Sequence, residues 1–207
     1  MTKTDLKRDI ASYSVKHGRF DIVTVPPLQY LAIDGADDPN TSDAYREALE
    51  ALYPLAYATK FLSKRELDRD YVVMPLEAQW WADDMDSFTS QRDKSQWSWT
   101  LLNLLPDWIT PEHLATARST VESKGAPSAL SSVRLLTLDE GLCAQTLHIG
   151  SYDDEAPVLA ELHDDFIPGH GMRMSGLHHE IYLSDPRRVA PEKLRTILRQ
   201  PIAPAAG

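Results

Sequence analysis

The chain is predicted to be an α+β protein, and three observations carry that prediction. Short apolar runs bounded by turn residues read as strands, from residues 20–25 to residues 178–183. Between them, longer stretches place apolar residues at helical spacing behind clusters of capping residues. The same order of elements occurs once in each half of the chain. With 207 residues, 43% hydrophobic and 25% charged, the chain can bury a core without disulfides or metal, as one large domain or two modules sharing a core.

Residues 1–19 are polar and mixed in charge and read as a loosely attached N-terminal arm. Residues 20–25 and 28–33 read as strands joined by a turn at Pro26-Pro27, with Gly35 ending the pair. Asp37, Asp38, Asn40, Thr41 and Ser42 are helix-capping residues. Tyr45, Leu49, Leu52, Tyr53, Ala56, Tyr57 and Phe61 then recur at helical spacing, with Pro54 expected to kink that helix. Residues 64–70 read as a charged loop, 71–81 as a strand, 83–94 as a polar connection and 96–105 as a second strand. Pro111 starts a helix that stops at Gly125.

The second half begins with strands at 133–138 and 142–149, around a turn at Asp139-Glu140-Gly141, and Gly150 ends the pair. Ser151 to Asp154 cap a helix over about 155–166. A glycine-rich loop at 168–176, a strand at 178–183 and a last helix from Pro191 to near Arg199 complete the reading. Both halves therefore read strand, turn, strand, glycine, acidic cap, helix, then further strand. This predicts one domain over 20–200, built of strand-helix-strand-strand repeats at about 20–125 and 130–200, with Gly35 and Gly150 equivalent. The groove between such modules is the expected ligand site.

The net charge is −10, from 31 acidic and 21 basic residues. That field repels phosphate backbones and anionic lipid, so neither nucleic acid nor membrane is expected as a partner. A cationic, neutral or aromatic small molecule suits it better. The single cysteine, Cys143, allows no internal disulfide. No signal peptide or membrane span is read, which makes the cytoplasm the expected location. Oligomeric state is not legible.

Glu180 is the leading candidate for chemistry. On a strand, His178, Glu180 and Tyr182 share one face, while His179, Ile181 and Leu183 share the other. A carboxylate against apolar walls can take a proton near neutral pH, although a solvated polar face has the same pattern. Of the five tryptophans, Trp80, Trp81, Trp97 and Trp99 lie on two neighbouring strands. Trp80 and Trp81 diverge, so at most one lines a given cavity; plain core packing is the alternative for each. Tyr152, at a strand–helix junction, is placed to hydrogen-bond a ligand or simply to flank the cap. No metal and no cofactor are expected. His178 and His179 point apart, and no zinc, dinucleotide or nucleophile-elbow motif is present.

Several segments taken in order resemble the GyrI-like small-molecule-binding domain family. They are Tyr53-x-x-x-Tyr57-x-x-Lys60-Phe61, the run from Met74 to Trp81, Trp97-Ser98-Trp99-Thr100, the run from Leu147 to Glu155, the run from His178 to Arg188, and the run from Ala190 to Arg199. The resemblance spans about 20–200. It implies the duplicated SOUL-like, regulatory-factor effector-binding fold with a central aromatic pocket, and a pocket acid on a late strand, where Glu180 falls. Glu180 and Tyr152 are then the catalytic candidates, and Tyr57, Trp80, Trp81, Trp99, His178 and Tyr182 the ligand-binding ones. Ala78 departs from the glycine common in the family and would narrow the pocket near Trp80. With no helix-turn-helix ahead of the domain, the chain looks like the stand-alone branch, some of whose members hydrolyse the cyclopropane of DNA-alkylating natural products. A multidrug-binding or sensing protein uses the same residues without turnover. Inhibition of a DNA enzyme such as gyrase through the acidic surface is the third alternative.

Overall fold

The computed structural model describes residues 3–82 and 93–205. A short turn of helix, α1 (Leu6–Asp9), leads to strands β1 (Asp21–Val25) and β2 (Leu28–Ala36). The long helix α2 (Asp43–Glu66) follows, then β3 (Leu76–Trp81), β4 (Ser98–Leu105) and α3 (Pro111–Glu122). Next come β5 (Arg134–Leu138), β6 (Gly141–Ile149), the short helix α4 (Ala156–Ala160), a π-helical turn over Glu161–Phe166 and α5 (Ile167–Gly169). Strands β7 (Met172–Met174), β8 (His178–Tyr182) and β9 (Arg195–Pro204) end the chain. The polar connection expected at 83–94 falls mostly outside the described residues.

The strands form one antiparallel sheet in the order β1-β6-β9-β8-β3-β4-β2-β5, with β7 paired to β9 off this path. Exchanging β1 with β5, β2 with β6, β3 with β8 and β4 with β9 returns the same order read from the other end. The seam between the halves is the β3–β8 pair, where Ala78 lies opposite Glu180 and Trp80 opposite His178.

Alternation along the strands sends residues to two different cores. Leu31, Ile33, Ala78, Trp80, Trp99 and Leu101 face α2, whose small residues Ala48, Ala51 and Ala56 allow close approach while Leu52 and Leu55 fill the gaps. Helix α2 runs to Glu66, three residues into the stretch expected to be a loop, and Lys60 and Lys64 meet Asp70 at 2.9 and 3.5 Å. Helix α3 begins as expected, with Pro111 in its first turn and Thr110 capping through His113.

The opposite face of the sheet is covered by the N-terminal segment, which is not loose. Tyr13 is 5% exposed and packs with Tyr30, Leu102, Leu104, Leu147, Ile181 and Ile197. Beneath it lies a buried ionic network. His179 places Nδ1 2.9 Å from Glu140 and Nε2 3.1 Å from Glu77. Arg199 donates to Glu140 at 2.9 Å, to Gln145 at 3.1 Å and to the Ser12 carbonyl at 3.2 Å. The Tyr13 hydroxyl donates to Glu77 at 2.6 Å. Two carboxylates and two cations thus pair out of water and clamp the N-terminal segment to the sheet.

The expected last helix is instead β9. Pro191 opens only one 3₁₀ turn, to Lys193. Residues 196–202 are all buried, and β9 sits between β6 and β8 with neighbours on both sides. An amphipathic helix needs one wet face; a segment buried on both faces satisfies its backbone better as a central strand.

Candidate functional site

On the α2 side of the seam, β8 presents His178, Glu180 and Tyr182 together, as the strand period requires. Glu180 is flanked across the sheet by Ala78 on β3 and Leu198 on β9, both fully buried, so its walls are apolar. Tyr182 Oη donates to Glu180 Oε2 at 2.6 Å and accepts from Trp80 Nε1 at 3.0 Å. That chain fixes one carboxylate oxygen. The other, Oε1, lies 3.4 Å from His178 Nε2, a close approach but too poorly aligned to make a hydrogen bond. The side chains of Glu180 and His178 are each 14% exposed, so solvent reaches the group.

Aromatic residues enclose it. Tyr45 on α2 stacks over Trp80, with ring centroids 6.4 Å apart, and meets Trp99 edge-on at 5.2 Å. Trp97 packs edge-on against Trp80 at 5.7 Å, and Tyr152 against Tyr182 at 5.4 Å. Burial, and then the charge of Glu180, pushes the hydroxyls of Tyr182 and Tyr45 well above the ordinary phenol range. Burial first, then Glu155 and Glu180, pushes Tyr152 up to about 12. These phenols therefore stay protonated at neutral pH and are hydrogen-bond donors.

The structure brings together Glu180, His178, Tyr182, Trp80 and, at the rim, Tyr152. It sets three expected residues apart. Tyr57 is 49% exposed and lies beside Phe61 on the outer surface of α2, in a groove of about 390 Å³ with Pro54, Val121 and Pro127. Trp81 follows Trp80 on β3 and so faces the other side of the sheet. Trp99 shares the face of Trp80, but at 1% exposed it is core; its ring fills the space over Gly35. The helix tyrosines near the group are Tyr45 and Tyr53, the latter beside Arg187 and Asp185. His163, on the π-helical turn, also faces the group, its ring edge-on to His178 at 5.8 Å. Tyr45 and Tyr53 were visible in the sequence as positions of the α2 pattern. Nothing in the sequence marked His163, because a π turn shifts the phase on which helical spacing is read.

A hollow of about 480 Å³ lies beside the group, lined by Asp37, Asp38, Thr41, Asp93, Lys94, Ser95 and Asp153. Its lining is small and polar, and Lys94 spans it between Asp153 at 3.6 Å and the face of Trp97. Glu180 is the better candidate for chemistry, because there a carboxylate with one committed and one uncommitted oxygen meets apolar walls and phenol donors. Among the described residues, no group of three or more His, Cys, Asp or Glu side chains is placed to hold a metal ion. Nor is any described helix long and apolar enough to cross a membrane.

A GyrI-like small-molecule-binding domain matches residues 19–203, and the chain belongs to the GyrI-like family. Three crystal structures of Listeria innocua proteins are similar over nearly the whole chain. One is an uncharacterized conserved protein, 36% identical, covering 97% of this chain and 100% of its own, with a TM-score of 0.88. Two are of hydrolases, each 34% identical and covered over 100% of its length; they cover 97% and 98% of this chain, with TM-scores of 0.84 and 0.86. Comparison with curated proteins gives no match.

Proposed function

We propose that the protein is a hydrolase that adds water to an activated cyclopropane, the reactive ring of DNA-alkylating natural products, and so detoxifies them. The observation that carries this reading is the polarised carboxylate: Tyr182 holds Glu180 Oε2 at 2.6 Å, which leaves Oε1 to take a proton. Two similar Listeria innocua proteins being hydrolases supports the class of reaction. In a spirocyclopropane conjugated to a carbonyl, water attacks the ring carbon and loses its proton to Glu180 Oε1. The ring C–C bond breaks and its electron pair passes through the conjugated system to the carbonyl oxygen, which takes a proton from Tyr152. The flat ring system lies along Trp80 and Tyr45. The strand order, unchanged on exchange of the halves, supports reading the cleft as the seam of a duplicated module.

The test is incubation with a spirocyclopropane alkylator and mass spectrometry for a product heavier by one water. Glu180→Gln should keep the fold and most affinity while kcat falls by about 10²–10⁴, because an amide cannot accept the water's proton. If the parent forms no water adduct but binds aromatic cations, and Glu180→Gln weakens only those cations, the protein sequesters ligands and the hydrolase reading fails.

A further inference from the structure

We propose that His178 and His163 form a proton relay that empties Glu180 after each turnover, a reading that rests on the hydrolase assignment above. The reaction leaves a proton on Glu180 Oε1 and takes one from Tyr152. Tyr152 lies at the rim and recovers its proton from solvent. Glu180 sits between Ala78 and Leu198 with its second oxygen held by Tyr182 and its side chain only 14% exposed, which leaves its proton little direct contact with water.

Three atoms mark that way. His178 Nε2, His178 Nδ1 and His163 Nε2 are all buried without a hydrogen-bond partner. Buried polar atoms left unpaired are costly, and where several converge a functional reason is expected. From Glu180, Oε1 to His178 Nε2 is 3.4 Å, and the His178 and His163 rings meet edge-on at 5.8 Å. His163 stands on the π-helical turn Glu161–Phe166. Such turns concentrate at functional sites. Pro168, just beyond, has no N–H for the carbonyl of Asp164 and its ring crowds that oxygen, which the wider turn relieves.

The transfer balances. Glu180 Oε1–H gives its proton to His178 Nε2 while His178 Nδ1–H gives one to His163 Nε2, directly or through one water. His163 then releases its Nδ1 proton to solvent, Glu180 is a carboxylate again, and proton exchange with water between the two nitrogens of each imidazole restores the starting tautomers. Burial, and next His178, hold the His163 imidazole down at about 4, so it does not retain a proton at neutral pH. Tyr182, Tyr45 and Tyr152, phenols that feel the charge of Glu180, remain protonated and do not compete to accept.

The test uses the full chain and a spirocyclopropane dienone. His163→Phe keeps a flat ring against His178 but removes the nitrogen; His163→Gln keeps a polar group that cannot relay. Both should lower steady-state kcat about tenfold or more and lower KM in step, leaving kcat/KM near the parent value, because the slowed step follows the chemistry. Water addition in a single turnover, with enzyme in excess, should stay within about twofold of the parent, since Glu180 is empty at the start. In His163→Gly, whose missing ring leaves room for it, added imidazole should restore kcat. A kcat within about twofold of the parent for either folded variant, an equal loss in single turnover, or no rescue by imidazole overturns the relay and leaves the hydrolase reading intact. Absence of turnover in the parent overturns both.

Discussion

Replacing His179 by glutamine tests the ionic network on the far side of the sheet. His179 is fully buried. Burial alone would lower its pKa, but Glu140 and Glu77 carry it up from 6.5 to about 9. At about 1.4 kcal/mol per pH unit, that rise corresponds to about 3 kcal/mol of folding stability. Burial would likewise raise Glu140, yet His179 and Arg199 hold it down from 4.5 to about 2. This is the same interaction seen from the other partner and is counted once. The signs define a window. The raised imidazole stabilises fully below 6.5, and its contribution fades as pH rises toward 9. The depressed carboxyl stabilises above 4.5, and its contribution fades as pH falls toward 2. His179→Gln should therefore melt about 6–12 °C below the parent between pH 4.5 and 6.5. That gap should shrink toward zero by about pH 9–10, where the parent's imidazole is also neutral. Thermal melts of both proteins across pH measure it directly. A gap that stays constant from pH 6.5 to 9 would refute the assignment of a charged His179.

Two further expectations concern the core and the surface. In Gly35→Ala the new Cβ would lie 2.1 Å from Trp99 Cη2 and 2.3 Å from Cζ2, so the buried indole must shift. A loss of about 1–3 kcal/mol and a change in tryptophan fluorescence are expected, and an unchanged melt would count against the packing described. With a net charge of −10, the protein should not bind duplex DNA at physiological salt; micromolar or tighter binding in a salt-titrated mobility-shift assay would contradict this.

The α+β class and most elements were legible because the local signals were strong. Pro111 at a helix start, Pro26-Pro27 between strands and the α2 spacing each have one dominant local interpretation. The alternation that put His178, Glu180 and Tyr182 on one face also held, since a five-residue strand leaves little room for error. What failed depended on tertiary context. The 191–199 segment has helix-compatible spacing, and only its position between β6 and β8 makes it a strand. Tyr57 shares the periodicity of α2 but lies on its outer surface, and spacing alone does not distinguish it from Tyr45 and Tyr53. The ionic network was hidden because its members are far apart in sequence, from Ser12 to Arg199. A trace was present in Glu77, the one charged residue of β3.

The two faces of β8 explain each other. Glu180 is held in one place by the register of β8, and a strand's register is set by whatever its reverse face packs against. A slip of one residue would turn His179 into the cleft and bring Glu180 in against Glu77 and Glu140. Three carboxylates would then share a buried site with Arg199 as the only member of the network still cationic. Leaving buried charge uncompensated costs several kcal/mol, far more than a slipped apolar strand would lose. His179 between Glu77 and Glu140 therefore specifies the register as well as stabilising it. The residue on either side, His178 and Glu180, is left with polar atoms uncommitted to the fold.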